Sequence, residues 1–161
     1  MLEALASRWA ALTARLEAFP FALIQLAARV GVGGVFLYSG FTKITPSWEL
    51  TPFAILLFRD EYKVPLIPYE VAAYMATAVE LIVPWFLFAG LFSRLATLPL
   101  LGMVAVIQVF VYPDAWRDHL LWATALTIIL TRGPGPLSLD AVLGNALGYR
   151  PAPGHAHHAR P

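Results

Sequence analysis

The chain has 161 residues, 59% of them hydrophobic and 13% charged, with a mean hydropathy of +0.68. Soluble domains carry about 25% charged residues, so the composition excludes an ordinary water-soluble domain and predicts a one-domain integral membrane protein. A net charge of +1 without a basic stripe excludes nucleic acid as a partner. The lack of cysteine excludes disulfides, thiolate catalysis, iron–sulfur clusters and c-type haem attachment.

Residues 1–19 do not read as a signal peptide, because Glu3, Arg8, Arg15 and Glu17 interrupt the apolar residues. Leu2, Leu5, Trp9, Leu12, Leu16 and Phe19 recur at three- and four-residue steps. That spacing predicts an amphipathic helix lying along the membrane surface. A first span follows at about 20–43, opened by Pro20. Its glycines (31, 33, 34 and 40) allow close approach of a neighbouring helix. Arg29, Gly33, Phe36, Gly40 and Lys43 share one face at helical spacing. Residues 44–68 form a long connection broken by prolines 46, 52, 65 and 68. Its apolar patch Phe53–Phe58 is too short to span, and reads as a turn of helix at the interface or a lid over the bundle.

The second span, about 70–93, carries one charge from Val71 to Ser93, Glu80. A carboxylate at mid-membrane costs roughly 2.5–3.5 kcal/mol, so it needs a partner or a purpose. Pro84 cannot donate to the Glu80 carbonyl, and a kink is expected there. A third span, about 95–112, is apolar apart from Thr97 and Gln108, and a fourth, about 116–131, contains His119 and Trp122. After Gly133–Pro136, Ser138 is a candidate N-cap for a short interfacial helix to about 147. The tail, 148–161, is rich in Pro, Gly, Ala and His and is expected to be disordered. The fold class is therefore all-α: a four-transmembrane-helix bundle over 20–147 with an N-terminal amphipathic helix. Four spans put both termini on one side. Arg8, Arg15, Arg94, Arg132, Arg150 and Arg160 fall on that side, against Lys43, Arg59, Lys63 and Arg117 opposite, which points to cytoplasmic termini.

Counting depth gathers the polar residues. Glu80 and Gln108 are each fourteen residues from Arg94, on opposite sides of a tight turn, so they lie at one level. His119, thirteen residues from Arg132, lies near it, and Lys43, Tyr38 and Ser39 approach from the first span. This predicts an ion pair between Arg29 and Glu80, the two candidates for a catalytic role. Lys43, Gln108, His119 and Trp122 would complete a pocket open to the outer side. The opposing reading is a structural pair that fixes helix register. Bis-histidine haem is disfavoured, because His119 is the only histidine within a span. His155, His157 and His158 are weak candidates for a metal site, with a solvated tail the simpler reading.

Several of these residues form motifs. They are Arg29 with Gly33, Phe36 and Ser39-Gly40-x-x-Lys43; Val64-Pro65; Glu80; Gly90-Leu91-x-x-Arg94; and Gly133-Pro134-Gly135-x-x-Ser138-Leu139-Asp140. In this order and spacing, over about residues 22–145, the chain resembles the DoxX family of small bacterial membrane proteins. The resemblance implies a four-helix bundle in the inner membrane. Some relatives look like membrane subunits of quinone-reducing enzymes such as thiosulfate:quinone oxidoreductase, and others associate with redox-stress or metal-handling partners. No established catalytic set carries over. Three readings stay open. The first is a membrane subunit or accessory factor of a quinone-linked redox system, with quinone as its ligand and electrons supplied by a partner protein. The second is a non-enzymatic scaffold in redox or metal homeostasis. The third is a small proton-coupled transporter acting as a homo-oligomer.

Overall fold

A computed structural model describes residues 1–148, so the tail histidines His155, His157 and His158, with Arg150 and Arg160, lie outside the described residues. The elements, in chain order, are α1 (Leu2–Glu17), α2 (Phe21–Phe41), α3 (Pro52–Leu56), α4 (Tyr69–Ala89), α5 (Ser93–Val106), α6 (Trp116–Arg132) and α7 (Leu139–Ala146). Two stretches of π-helix continue α3 and α5, at Leu57–Tyr62 and Ile107–Val111. They close with bonds from Lys63 N to Phe58 O and from Tyr112 N to Ile107 O. Three segments are long and apolar enough to cross a membrane: Phe21–Phe41, Tyr69–Ala89 and Ser93–Val111. Helix α6 is shorter, with 17 residues.

Helices α2, α4, α5 and α6 pack in a ring in which α2 and α5 each touch both α4 and α6. Val32, Phe36, Leu87, Leu100, Leu126 and Ile129 form the core where they meet. The perimeter is apolar too, with Ile24, Val30, Ile82, Trp85, Leu98 and Leu121 exposed. A protein with apolar residues both inside and out fits a bilayer as its solvent. No residue of α1 is buried.

The α2–α4 contact sets the register of the whole molecule. A Cβ on Gly40 would lie 3.0 Å from Glu80 Cβ, and one on Gly33 would lie 2.7 Å from Phe88 Cε1. The glycines thus let the two antiparallel backbones close, as small residues do in membrane helix pairs. Each step down α2 is matched by a step up α4. Arg29 accordingly falls level with the end of α4, and Lys43 beyond Glu80 towards the start of α4.

Helix α4 runs unbroken through the buried Pro84 and stops at Gly90, which takes the left-handed conformation (φ 67°) that ends many helices. Helix α7 starts at Ser138, whose hydroxyl accepts from Ala141 N at 3.2 Å. Between α2 and α4, Thr51 caps α3 by accepting from Ala54 N, and Phe58 packs on Ala72 and Ala73 of α4. The connection is thereby a folded lid against the bundle.

Candidate functional site

The motif residues separate into two places at opposite ends of α2. At one end, Arg29 is fully buried. Its Nη1 donates to the Leu87 carbonyl at 3.2 Å and the Phe88 carbonyl at 3.4 Å, and its Nη2 to the Leu137 carbonyl at 2.5 Å. Two of these acceptors are carbonyls in the last turn of α4, where Leu87 O also accepts from Gly90 N at 3.1 Å, and one lies in the segment before α7. Gln25, one turn earlier, donates to the carbonyls of Arg132 and Gly133. Asp140 accepts from Phe92 N at 2.7 Å and Ser93 N at 3.0 Å, placing a carboxylate on the free amides that open α5. Asp140 N returns a bond to Gly90 O at 2.9 Å. The Gly90 turn and the Gly133–Asp140 segment are therefore one knot, with Arg29 as its cation.

This corrects the expected ion pair. Arg29 does not meet Glu80, because the glycine register places it eleven residues below Gly40, about 16 Å along the helix at 1.5 Å per residue. The partner of Glu80 is Lys43. Lys43 Nζ lies 2.7 Å from Glu80 Oε2, and both side chains are almost wholly enclosed. Lys43 Nζ also donates to Ser39 Oγ at 2.8 Å and Ser39 O at 3.2 Å, while Ser39 Oγ donates to Glu80 Oε1 at 3.1 Å. Lys43 and Ser39 stand one helical turn apart, so the end of α2 presents both to α4.

The Lys43–Ser39–Glu80 group lies on the wall of a cavity of 470 Å³. Helix α2 contributes Phe36, α4 contributes Ala76 and Val79, and α5 contributes Pro99 and Met103. The lid closes it with Phe58, Tyr62, Val64 and Ile67. On the α6 wall stand His119 and Trp122, with ring centroids 5.3 Å apart, and Trp122 meets Phe36 edge-on at 5.8 Å. Gln108 supports this wall from the second π-helical stretch. Its Nε2 donates to Pro113 O at 2.8 Å and its Oε1 lies 2.7 Å from His119 Nδ1.

Of the six candidates named from sequence, Lys43, Glu80, His119 and Trp122 line the cavity, Gln108 holds His119, and Arg29 belongs to the knot at the other end. Depth counting missed Tyr62 and Tyr112, which join lid to bundle. Their rings meet edge-on at 5.6 Å, and Tyr112 Oη donates to Glu61 Oε1. Burial pushes both phenols up from the ordinary tyrosine value, and the Glu61 carboxylate pushes Tyr112 further. Tyr112 could have been found as the polar end of an apolar span. Tyr62 carried no signal beyond its place in a long loop.

Such a site is an apolar chamber with a few polar groups on its walls, the usual form of a small-molecule pocket. Both π-helical stretches contribute to it through Phe58, Tyr62, Ile107 and Val111, and π-helix is frequent at functional sites. No group of histidine, aspartate and glutamate suited to a metal ion occurs among the described residues.

The family model described as DoxX matches residues 24–113, a stretch holding the Lys43–Glu80 group and Arg29. An uncharacterized protein of Haemophilus influenzae is 28% identical over 99 residues, which cover 56% of this chain and 66% of that relative. The chain thus spans just under two thirds of the length of the curated relative it matches. No solved structure matches the chain.

Proposed function

This chain belongs to the DoxX family, and from that premise we propose that it is a membrane subunit or accessory factor of a quinone-linked redox system, its cavity holding the quinone head group. The observation that carries this reading is the 470 Å³ chamber, apolar on most of its wall yet holding the buried Lys43–Glu80 pair and His119. Ionisable residues inside a membrane mark function by default. A lipid-soluble head group reaches such a chamber from the bilayer, and polar groups at two walls orient its oxygens. In this reading electrons come from a partner protein.

The same reading sets the topology. Helix α6 is the fourth span, about 26 Å long at the helical rise, and the π-helical and 3₁₀ turns before it make up the depth. The protein sits in the bacterial inner membrane with both termini cytoplasmic, the Arg29 knot on the cytoplasmic side and the lid outside. Helix α1 lies in the interface, with Leu5, Trp9 and Leu16 in the acyl boundary. A non-enzymatic accessory role is the second reading. It is favoured by the exposed apolar residues Val142 and Leu143 of α7 and Leu147 just after it, which offer a face to a neighbouring protein.

Lipid extraction and mass spectrometry of the purified protein test the first reading. Quinone stoichiometric with the wild type and lost from folded Glu80→Gln supports it. A well-folded wild type free of quinone sends the assignment to the accessory role.

A further inference from the structure

Counting hydrogen-bond donors around the cavity says which redox form of a ligand it takes. An ammonium has three donors and no acceptor. The three Lys43 bonds run to Ser39 O, Ser39 Oγ and Glu80 Oε2, so its donors are spent. The Ser39 hydroxyl proton is spent on Glu80 Oε1. What this wall retains is acceptor capacity, because each Glu80 oxygen has a second lone pair.

The α6 wall is set by Gln108. Only the amide nitrogen can face the Pro113 carbonyl, so Nε2 is fixed there and Oε1 is fixed against His119. An amide oxygen only accepts, so His119 Nδ1 must carry the proton. In the neutral ring Nε2 is then a lone pair. It has no partner among the described residues, and the fully enclosed unpartnered atoms are others: Arg29 Nε, Thr77 Oγ1 and Ser93 Oγ. His119 Nε2 is therefore an accessible acceptor on a cavity wall. The Trp122 indole N–H remains as a donor on the wall, while the Tyr62 hydroxyl is engaged with Tyr112.

We infer that the cavity binds the reduced, hydroxyl-bearing form of a lipophilic aromatic head group in preference to its oxidised carbonyl form, with Gln108 as the positioning residue that makes His119 Nε2 an acceptor. A hydroxyl donates to Glu80 or to His119 Nε2 and still accepts from the indole. A carbonyl only accepts, and leaves both wall acceptors facing its own lone pairs. This inference rests on the reading of the chamber as a quinone-type site.

The test is equilibrium binding of a short-chain benzoquinone and, under anaerobic conditions, its quinol, to the full chain in nanodiscs. It is paired with ¹⁵N NMR of the histidine side chains, the His119 signal being assigned by its loss in His119→Phe. The quinol is expected to bind about tenfold more tightly or better, the equivalent of about 1.4 kcal/mol, with His119 protonated at Nδ1. Gln108→Leu releases His119 Nε2 from its acceptor role and is expected to narrow the difference between the two affinities, the Glu80 acceptors remaining, and to populate the Nε2–H tautomer. Equal or tighter quinone binding by the wild type, or an Nε2–H ring in it, overturns the inference and leaves the quinone-site reading standing. If neither form binds, that reading fails and the inference with it. The wild-type measurements decide even if Gln108→Leu does not fold.

Discussion

The Lys43–Glu80 pair gives the sharpest prediction. Lys43 Nζ makes three bonds, at 2.7, 2.8 and 3.2 Å, and both side chains are almost wholly shielded. Lys43→Met leaves Glu80 with Ser39 alone, and Glu80→Met leaves an ammonium with no counter-charge. Breaking a buried pair by removing one partner costs about 3–5 kcal/mol, whereas replacing both with apolar groups of similar volume is often near neutral. The double variant Lys43→Met/Glu80→Met should therefore be more stable than the single variants' losses predict. The expected coupling is at least ~2 kcal/mol, against a scatter of about 0.5 kcal/mol for independent sites. Reversible unfolding in mixed micelles, by titrating a denaturing detergent against a mild one and following circular dichroism, measures all four corners of the cycle. Additive losses, within about 0.5 kcal/mol of the sum, would refute the buried-pair argument.

Three further outcomes follow from the knot and the lid. Gly90→Ala should lower stability by about 1–2 kcal/mol from its left-handed φ alone, and by more because the new Cβ would overlap Arg29 and Ser138; thermal melting in detergent reads it. Asp140→Asn keeps the shape but removes the charge at the start of α5, and should cost about 0.5–2 kcal/mol on the same melting curve. Tyr112→Phe frees Glu61 and should raise amide exchange over Leu57–Tyr62 while leaving α2 and α4 protected. The phenol's pKa is raised in the fold, so its contribution is fully present below the ordinary tyrosine value near 10 and is lost as pH rises through the folded value. Wild-type lid protection should therefore fall in strong alkali, and Tyr112→Phe should show a smaller loss, the one that Tyr62 still carries.

Helix positions were largely legible because long apolar runs bounded by charges, Pro and Gly leave few alternatives. The span expected at 116–131 is a helix over Trp116–Arg132, and the short helix after Ser138 covers Leu139–Ala146. Depth counting also worked where a tight turn fixes the register. Gln108 and His119, expected near one level, meet at 2.7 Å across the short turn between the end of α5 and α6. What failed was the pairing of Arg29, whose side chain was expected to reach Glu80 from a deeper level; α2 and α4 are joined by a long connection, which fixes no register. The two glycine contacts, Gly40 on Glu80 and Gly33 on Phe88, supply it only in three dimensions. Composition also favoured pairing Arg29 with the one acid near the middle of a span, although buried carbonyls at a helix end satisfy a guanidinium as well. Lys43 reads from sequence as a pocket residue at the outer end of its span, and not as the partner of Glu80. Its long stem lets the ammonium turn back one helical turn to Ser39 and Glu80.

On the proposed function, a quinone-type head group occupies the chamber between α2, α4, α5, α6 and the lid. Photo-crosslinking with an azido-quinone in native membranes, followed by peptide mapping, tests it most directly. Adducts are expected on peptides carrying Val79–Glu80, Met103 and Trp122, competed away by unlabelled quinone. Adducts confined to perimeter residues such as Ile82, Trp85 and Leu121, or labelling that quinone does not compete, would contradict it.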